Sequence, residues 1–218
     1  MEITDTQRDW LALSLVPGVG TTLFIRLLAR FGTPRGVLSA PEAELAEVVG
    51  PKLAQRIRQY KEVVDTAAQE RRMAKYDAGL ITMDDPEYPP ALAEIYDPPL
   101  VLWNRGALLE EDARAVAIVG TRRPTPYGVR MAENLARDLA ARGVTVVSGL
   151  ATGTDAAAHR GALEAHGRTI AVLGCGVDIA YPSQNAELMH RIVLGGCVLS
   201  PFPMGVKPSK GHFPSRNR

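Results

Sequence analysis

Ala115-Val116-Ala117-Ile118-Val119-Gly120-Thr121-Arg122-Arg123 is an uninterrupted apolar run that breaks into a glycine and two arginines. Val144-Thr145-Val146-Val147-Ser148-Gly149-Leu150-Ala151-Thr152-Gly153-Thr154-Asp155 follows the same plan, as do residues 169–173 ending in Gly174-Cys175-Gly176 and residues 197–199 ending in Ser200. Between these runs, helical spacing predicts helices over about 127–142 and 154–165. Strands that are apolar throughout, rather than alternating, and that are separated by helices belong to a parallel sheet covered on both faces. Residues 112–218 are therefore expected to form a Rossmann-like, doubly wound α/β domain.

Upstream the pattern changes. Asp84-Asp85-Pro86-Glu87-Tyr88-Pro89-Pro90 and Asp97-Pro98-Pro99 are proline-stiffened and tolerate no helix interior. With a short strand expected at 100–103, residues 80–111 read as a connector holding the domain boundary. Residues 1–79 read as a small all-helical domain. Helices are expected at 7–15 and 21–31 around the turn Val16-Pro17-Gly18-Val19-Gly20-Thr21. A looser copy has helices at 41–49 and 52–72 around Gly50-Pro51. Helix, hydrophobic-Gly-hydrophobic-Gly turn, helix is a helix-hairpin-helix (SAM-like) pattern, whose turn amides can hold a DNA phosphate. The alternative is a packing or protein-docking module, and the charge of this half favours it.

That charge is unevenly spread. The chain has 218 residues and a net charge of +1, but residues 1–111 carry 12 Lys/Arg against 17 Asp/Glu, and residues 112–218 carry 13 against 7. A basic half points towards a polyanion such as nucleic acid. At 46% hydrophobic and 22% charged, the composition is that of a globular protein and excludes a disordered chain. No apolar stretch approaches the roughly 18 residues that span a bilayer, and the first nine residues lack a signal-peptide core. The chain is expected to be cytoplasmic, with no membrane partner. Cys175 and Cys197 form no CxxC or Cys/His cluster, so they read as ordinary thiols and no metal site is expected.

In doubly wound sheets, ligands bind beyond the carboxyl ends of the strands. The loop Ser148, Gly149, Leu150, Ala151, Thr152, Gly153, Thr154 opens directly into a helix, whose N-terminal amides and dipole favour an anion. Gly120, Thr121, Arg122 and Arg123 leave the neighbouring strand, and together these residues read as a phosphate site. There is no GxGxxG and no GxxxxGK[ST], which argues against NAD and ATP, so no cofactor is expected. Asp155 and His159 stand at i,i+4 and could pair, but a capping aspartate beside an oriented histidine is the commoner arrangement. No nucleophile elbow or carboxylate pair is visible, and no catalytic residue is assigned. The C-terminal stretch Lys207-Pro208-Ser209-Lys210-Gly211-His212-Phe213-Pro214-Ser215-Arg216-Asn217-Arg218 has four Lys/Arg and no acid. An aromatic among cations suits single-stranded nucleic acid, the cations tracking phosphates while the ring stacks on a base; the alternative is a ragged basic tail.

Taken together, Ala117-Ile118-Val119-Gly120-Thr121-Arg122, Tyr127-Gly128, the Ser148–Asp155 loop with Ala158-His159, Gly174-Cys175-Gly176 with Tyr181-Pro182, and Phe213–Arg218 closely resemble the DprA/Smf family of DNA-processing proteins. The resemblance runs from about residue 80 to 218. It implies a non-catalytic, single-stranded-DNA-binding protein of natural transformation, a homodimer in its complete form. Such a protein protects incoming strands and helps load the RecA recombinase, also over single-strand-binding protein. It further implies a DNA pocket lined by Arg122, the Ser148–Gly153 loop, Lys210, Phe213, Arg216 and Asn217. Two departures stand out. Ser200-Pro201 replaces the family's Ser-Glu, and the family continues past Arg-Asn-Arg, so the chain is expected to be truncated at its C-terminus. The rival is a Rossmann-like nucleotide phosphoribohydrolase of the lysine-decarboxylase-like type, but the Pro-Gly-Gly-x-Gly-Thr motif of those enzymes and its nearby Glu are absent.

Overall fold

The structure, a computed structural model, describes residues 3–217. Arg218, one of the cations of the basic tail, lies outside them. The chain divides into two compact units, Met1–Lys75 with Leu80–Leu102, and Tyr76–Gly79 with Trp103–Arg218. The stretch expected as a connector, 80–111, is thus shared between them, its first part belonging to the helical unit and its last to the α/β unit.

The helical unit contains α1 (Asp5–Leu15), α2 (Thr21–Phe31), α3 (Pro34–Ser39), α4 (Glu42–Val49), α5 (Pro51–Arg58), α6 (Tyr60–Val63) and α7 (Thr66–Tyr76, whose last residue joins the other unit). A capping box of Thr4 and Gln7 starts α1. Leu11, Leu13, Phe24, Leu27, Leu45 and Ile57 are fully buried in this unit, and Trp10 stacks on Phe24 with centroids 4.8 Å apart. In the hairpin, Gly18 takes φ +101°, and the Arg56 guanidinium donates to the Pro17 carbonyl at 2.6 Å. The single helix expected over 52–72 is three pieces. The extended backbone at Val64 ends α6, and the Asp65 carboxylate accepts from the Ala68 amide at 2.8 Å, capping α7 instead of continuing a helix.

The remaining strands and α-helices are β1 (Ala78–Thr82), α8 (Pro90–Ala93), β2 (Val101–Gly106), β3 (Ala115–Ala117), α9 (Pro126–Ala140), β4 (Thr145–Ser148), α10 (Thr154–Glu164), β5 (Thr169–Val172), α11 (Ala186–Gly195), β6 (Cys197–Ser200) and α12 (His212–Arg216). The sheet has the order β1-β2-β6-β5-β4-β3. β3, β4, β5 and β6 are parallel neighbours, as their continuous apolar character required, whereas β2 pairs antiparallel to β6 from Trp103 opposite Ser200 to Gly106 opposite Cys197. The sheet is mixed at that side rather than wholly parallel. α9 begins at Thr125, whose hydroxyl accepts from the Gly128 amide at 3.1 Å, with Pro126 preset for the first turn. Ala136 and Ala140 of α9 meet Ala158 and Ala162 of α10 over Ile118 and Val146. Small side chains let these helices lie close together on the sheet.

β3 lies at the margin of the sheet, and Ala115, Val116 and Ala117 are exposed although their continuous apolar run suits a strand covered on both faces. The apolar run predicts a strand correctly. It does not say where in the sheet order that strand will fall.

Candidate nucleic-acid interface

The loops after β3, β4 and β5 meet at the carboxyl edge of the sheet, and the C-terminal segment lies across them. Gly120 lies against Thr154, the first residue of α10. The Thr121 carbonyl accepts from both the amide and the hydroxyl of Thr154, each at 3.2 Å. Gly153 turns the second loop with φ +84°, and a Cβ there would strike the Thr121 carbonyl oxygen, so glycine is needed for the two loops to touch. The side chains of Thr121, Arg122 and Arg123 are exposed beyond this junction.

The second loop is more inward than its composition suggests. Ser148 is buried and donates to the Ile118 carbonyl at 2.6 Å. Leu150 is fully buried at φ +57°, with its carbonyl accepting from the Asn185 side chain at 2.8 Å. The Gly149 amide donates to the Asp155 carboxylate at 3.2 Å. Several of the polar groups expected to face an anion therefore serve loop geometry, while Ala151, Thr152, Gly153 and Thr154 are half-buried and reach the surface.

Residues 207–217 of the basic tail form a strap over these loops. His212 stacks on Phe202, centroids 4.2 Å apart, and its Nδ1 donates to the Gly174 carbonyl at 3.2 Å. Phe213 is half-buried and rests on Gly174, where a Cβ would lie 3.0 Å from the ring. The Arg122 guanidinium sits over the Phe213 ring, 5.3 Å from its centroid, and Tyr181 stands 6.0 Å away at an interplanar angle of 33°. Lys210 and Asn217 are exposed. Arg216 is half-buried and donates through Nη1 to the carbonyls of Gly149, at 3.1 Å, and of Val172, and through Nε to the Asn217 side chain at 2.8 Å. Burial lowers its pKa, and the nearby Arg122 adds to this against the pull of Asp155.

Arg122, the second loop, Phe213 and Arg216 thus come together at one place. Lys210 is carried on the same strap, and Arg123 lies beside Arg122 in the chain. Tyr181 and the Phe202–His212 pair went unrecognised as parts of this place, because each meets its partner only through the folded strap. Tyr181 had a sequence signal, since Tyr181-Pro182 is one of the motifs that carry the family resemblance.

Asp155 and His159 do not pair. Asp155 serves the Gly149 amide, and the His159 Nδ1 lies 2.7 Å from the Thr169 hydroxyl. That hydroxyl donates to the Val146 carbonyl, so His159 is the Nδ1–H tautomer and its buried Nε2 has no partner. Burial drives the His159 pKa down to about 3. Burial likewise pushes the thiols up, to about 11 for Cys175, where Asp178 adds to it, and about 12 for Cys197, where Asp112 does. Neither thiol is an activated nucleophile. Among the described residues no three His, Cys, Asp or Glu side chains group as metal ligands, and no helix is long and apolar enough to cross a membrane.

Residues 79–218 match the sequence family described as DNA recombination-mediator protein A. The chain is 40% identical to Protein Smf of Synechocystis over 97% of its own length and 55% of the relative's. It is 41% identical to Protein Smf of Escherichia coli over 64% of its length and 37% of the relative's. It thus spans about half the length of the curated relatives it matches. The structure superposes on DNA processing protein A of Streptococcus pneumoniae with a TM-score of 0.81 and 31% identity, covering 100% of this chain and 74% of the other. DNA processing protein A of Helicobacter pylori, whose structure describes a single-stranded DNA binding mode, matches with a TM-score of 0.57 and 37% identity over 63% of this chain and 62% of the other.

Proposed function

The chain belongs to the DNA recombination-mediator protein A family, and from that premise we propose that its α/β unit binds single-stranded DNA with little sequence preference and without turnover. The observation that carries this reading is the placement of the exposed Arg122 guanidinium over the half-buried Phe213 ring, at the sheet edge where doubly wound folds take ligands. A cation beside an aromatic offers one contact for a phosphate and one for a base, with no base-edge donor set to read sequence. Arg122 and Lys210 contact phosphates in this reading, and Phe213 stacks. The names of the two solved relatives support DNA processing as the setting. The wider role follows the family: protecting incoming strands during natural transformation and helping to load RecA recombinase over single-strand-binding protein, as a cytoplasmic homodimer.

Titration of an oligothymidine and a matched duplex over a salt series tests the reading. With two phosphate contacts, log K should fall against log salt with a slope of about −1.4, at about 0.7 per phosphate on single strands. The single strand should bind more tightly than the duplex. Salt-independent binding, or equal affinity for the duplex, defeats the proposal.

A further inference from the structure

Arg216 is one of the cations that the family resemblance places in the DNA pocket, yet three of its five N–H donors are already engaged within the protein. Two reach the ends of neighbouring strands, at Gly149 just past β4 and at Val172 closing β5. The third holds the adjacent Asn217. Gly149 is shaped around this group, since a Cβ there would lie 2.7 Å from the Arg216 Cζ. Asp155, itself buried, adds a favourable charge, and the same carboxylate ties the Gly149 amide. One planar guanidinium therefore joins the strap to two strand ends and to the loop between β4 and α10. Lys210 and Phe213, the residues that face a ligand, sit on that strap.

We propose that Arg216 is a positioning residue for DNA binding, clamping the strap of residues 207–217 onto the ends of β4 and β5 so that Lys210 and Phe213 are presented to the strand, and neutralising no phosphate itself. This rests on the single-strand-binding reading above. If a clamp is all that Arg216 supplies, removing it matters only while there is something on the strap to present. A direct phosphate contact would persist whatever the strap carries.

The test uses the full chain and an oligothymidine. Arg216→Ala should weaken binding by about five- to 150-fold, the range of one lost base–aromatic stack. In a Lys210→Gln/Phe213→Ala background the same substitution should change affinity less than about twofold and leave the salt slope alone. Without DNA, trypsin should cut after Lys210 on the order of tenfold faster in Arg216→Ala, because the strap opens locally more often. Gly149→Ala is the second variant. It keeps the cation but forces the guanidinium out of its seat, and should reproduce both the affinity loss and the faster cleavage. This holds the proposal to account even if Arg216→Ala fails to fold. An undiminished effect of Arg216→Ala in the double-mutant background, with a slope about 0.7 shallower, makes Arg216 a phosphate ligand and overturns the clamp. So does unchanged cleavage in folded Gly149→Ala. Failure of the unmutated chain to bind the oligothymidine refutes the DNA reading instead, and the cleavage result then judges the clamp alone.

Discussion

Phe213→Ala separates stacking from charge and from folding. The ring is half-buried, so its loss from the folded state removes only part of a phenyl group's burial together with the contact to the Arg122 guanidinium at 5.3 Å. Exposed cation–π pairs are worth about 0.5–1 kcal/mol, and the total stability cost should stay near 1–2 kcal/mol, a few degrees of melting temperature. The binding cost is larger if the ring is a platform, about 1–3 kcal/mol per stacked base. Stacking carries no counterion release, so log K against log salt should move down in parallel and keep its slope. Phe213→Trp and Phe213→Tyr retain a π-face and should retain most of the affinity. Fluorescence anisotropy of a labelled oligothymidine across a salt series gives affinity and slope together, and thermal melting of the same samples gives stability. A folded Phe213→Ala protein that binds like the parent would refute the reasoning and assign the ring to holding the strap. A changed slope would show that the ring acts through Arg122.

Three further outcomes are expected. Arg122→Ala and Lys210→Ala should each flatten the salt slope by about 0.7 with little change in melting temperature, and an unchanged slope would place the phosphates elsewhere. Incubation with nucleoside monophosphates, ATP or labelled DNA should release no base, phosphate or nucleotide. Turnover that co-purifies with the chain and is abolished by Asp155→Asn would restore an enzymatic reading. His159 is neutral in the fold, with a pKa of about 3 against an ordinary 6.5, so acid protonates the unfolded chain first. Its contribution is intact above about pH 6.5 and falls as pH drops towards 3, by about 1.4 kcal/mol per pH unit at most. Urea unfolding at stepped pH should show that slope reduced in His159→Gln, and identical slopes would refute the assignment.

Much of the α/β unit could be read from residue order. Apolar runs at 115–119, 144–147, 169–173 and 197–199 became β3, β4, β5 and β6, and the second helix of the hairpin, 21–31, is α2. These readings succeed because strand burial and helix amphipathicity leave local periodicities. The loops at the carboxyl edge were also legible, since glycine, arginine and a helix start within a few residues are a local signal. β1, α3, α8, α11 and α12 leave no such signal and went unread, and the helix expected over 52–72 broke where Asp65 caps a new one.

Partnership was another matter. That β3 lies at the margin and that β2 runs antiparallel to β6 depend on strand order, which no local pattern encodes. Arg216 and Lys210 are both cations of one basic tail. Only the fold commits one to carbonyls 67 and 44 residues away and leaves the other exposed. Asp155 and His159 stand one helical turn apart and look paired, yet the aspartate faces the preceding loop and the histidine faces the next strand. Backbone periodicity and turn chemistry act over a few residues, and the sequence therefore determined most strands of the sheet and the helices between them. Hydrogen-bond partners are chosen by which groups arrive within 3 Å of one another after the sheet has assembled, and that was decided by the tertiary structure alone.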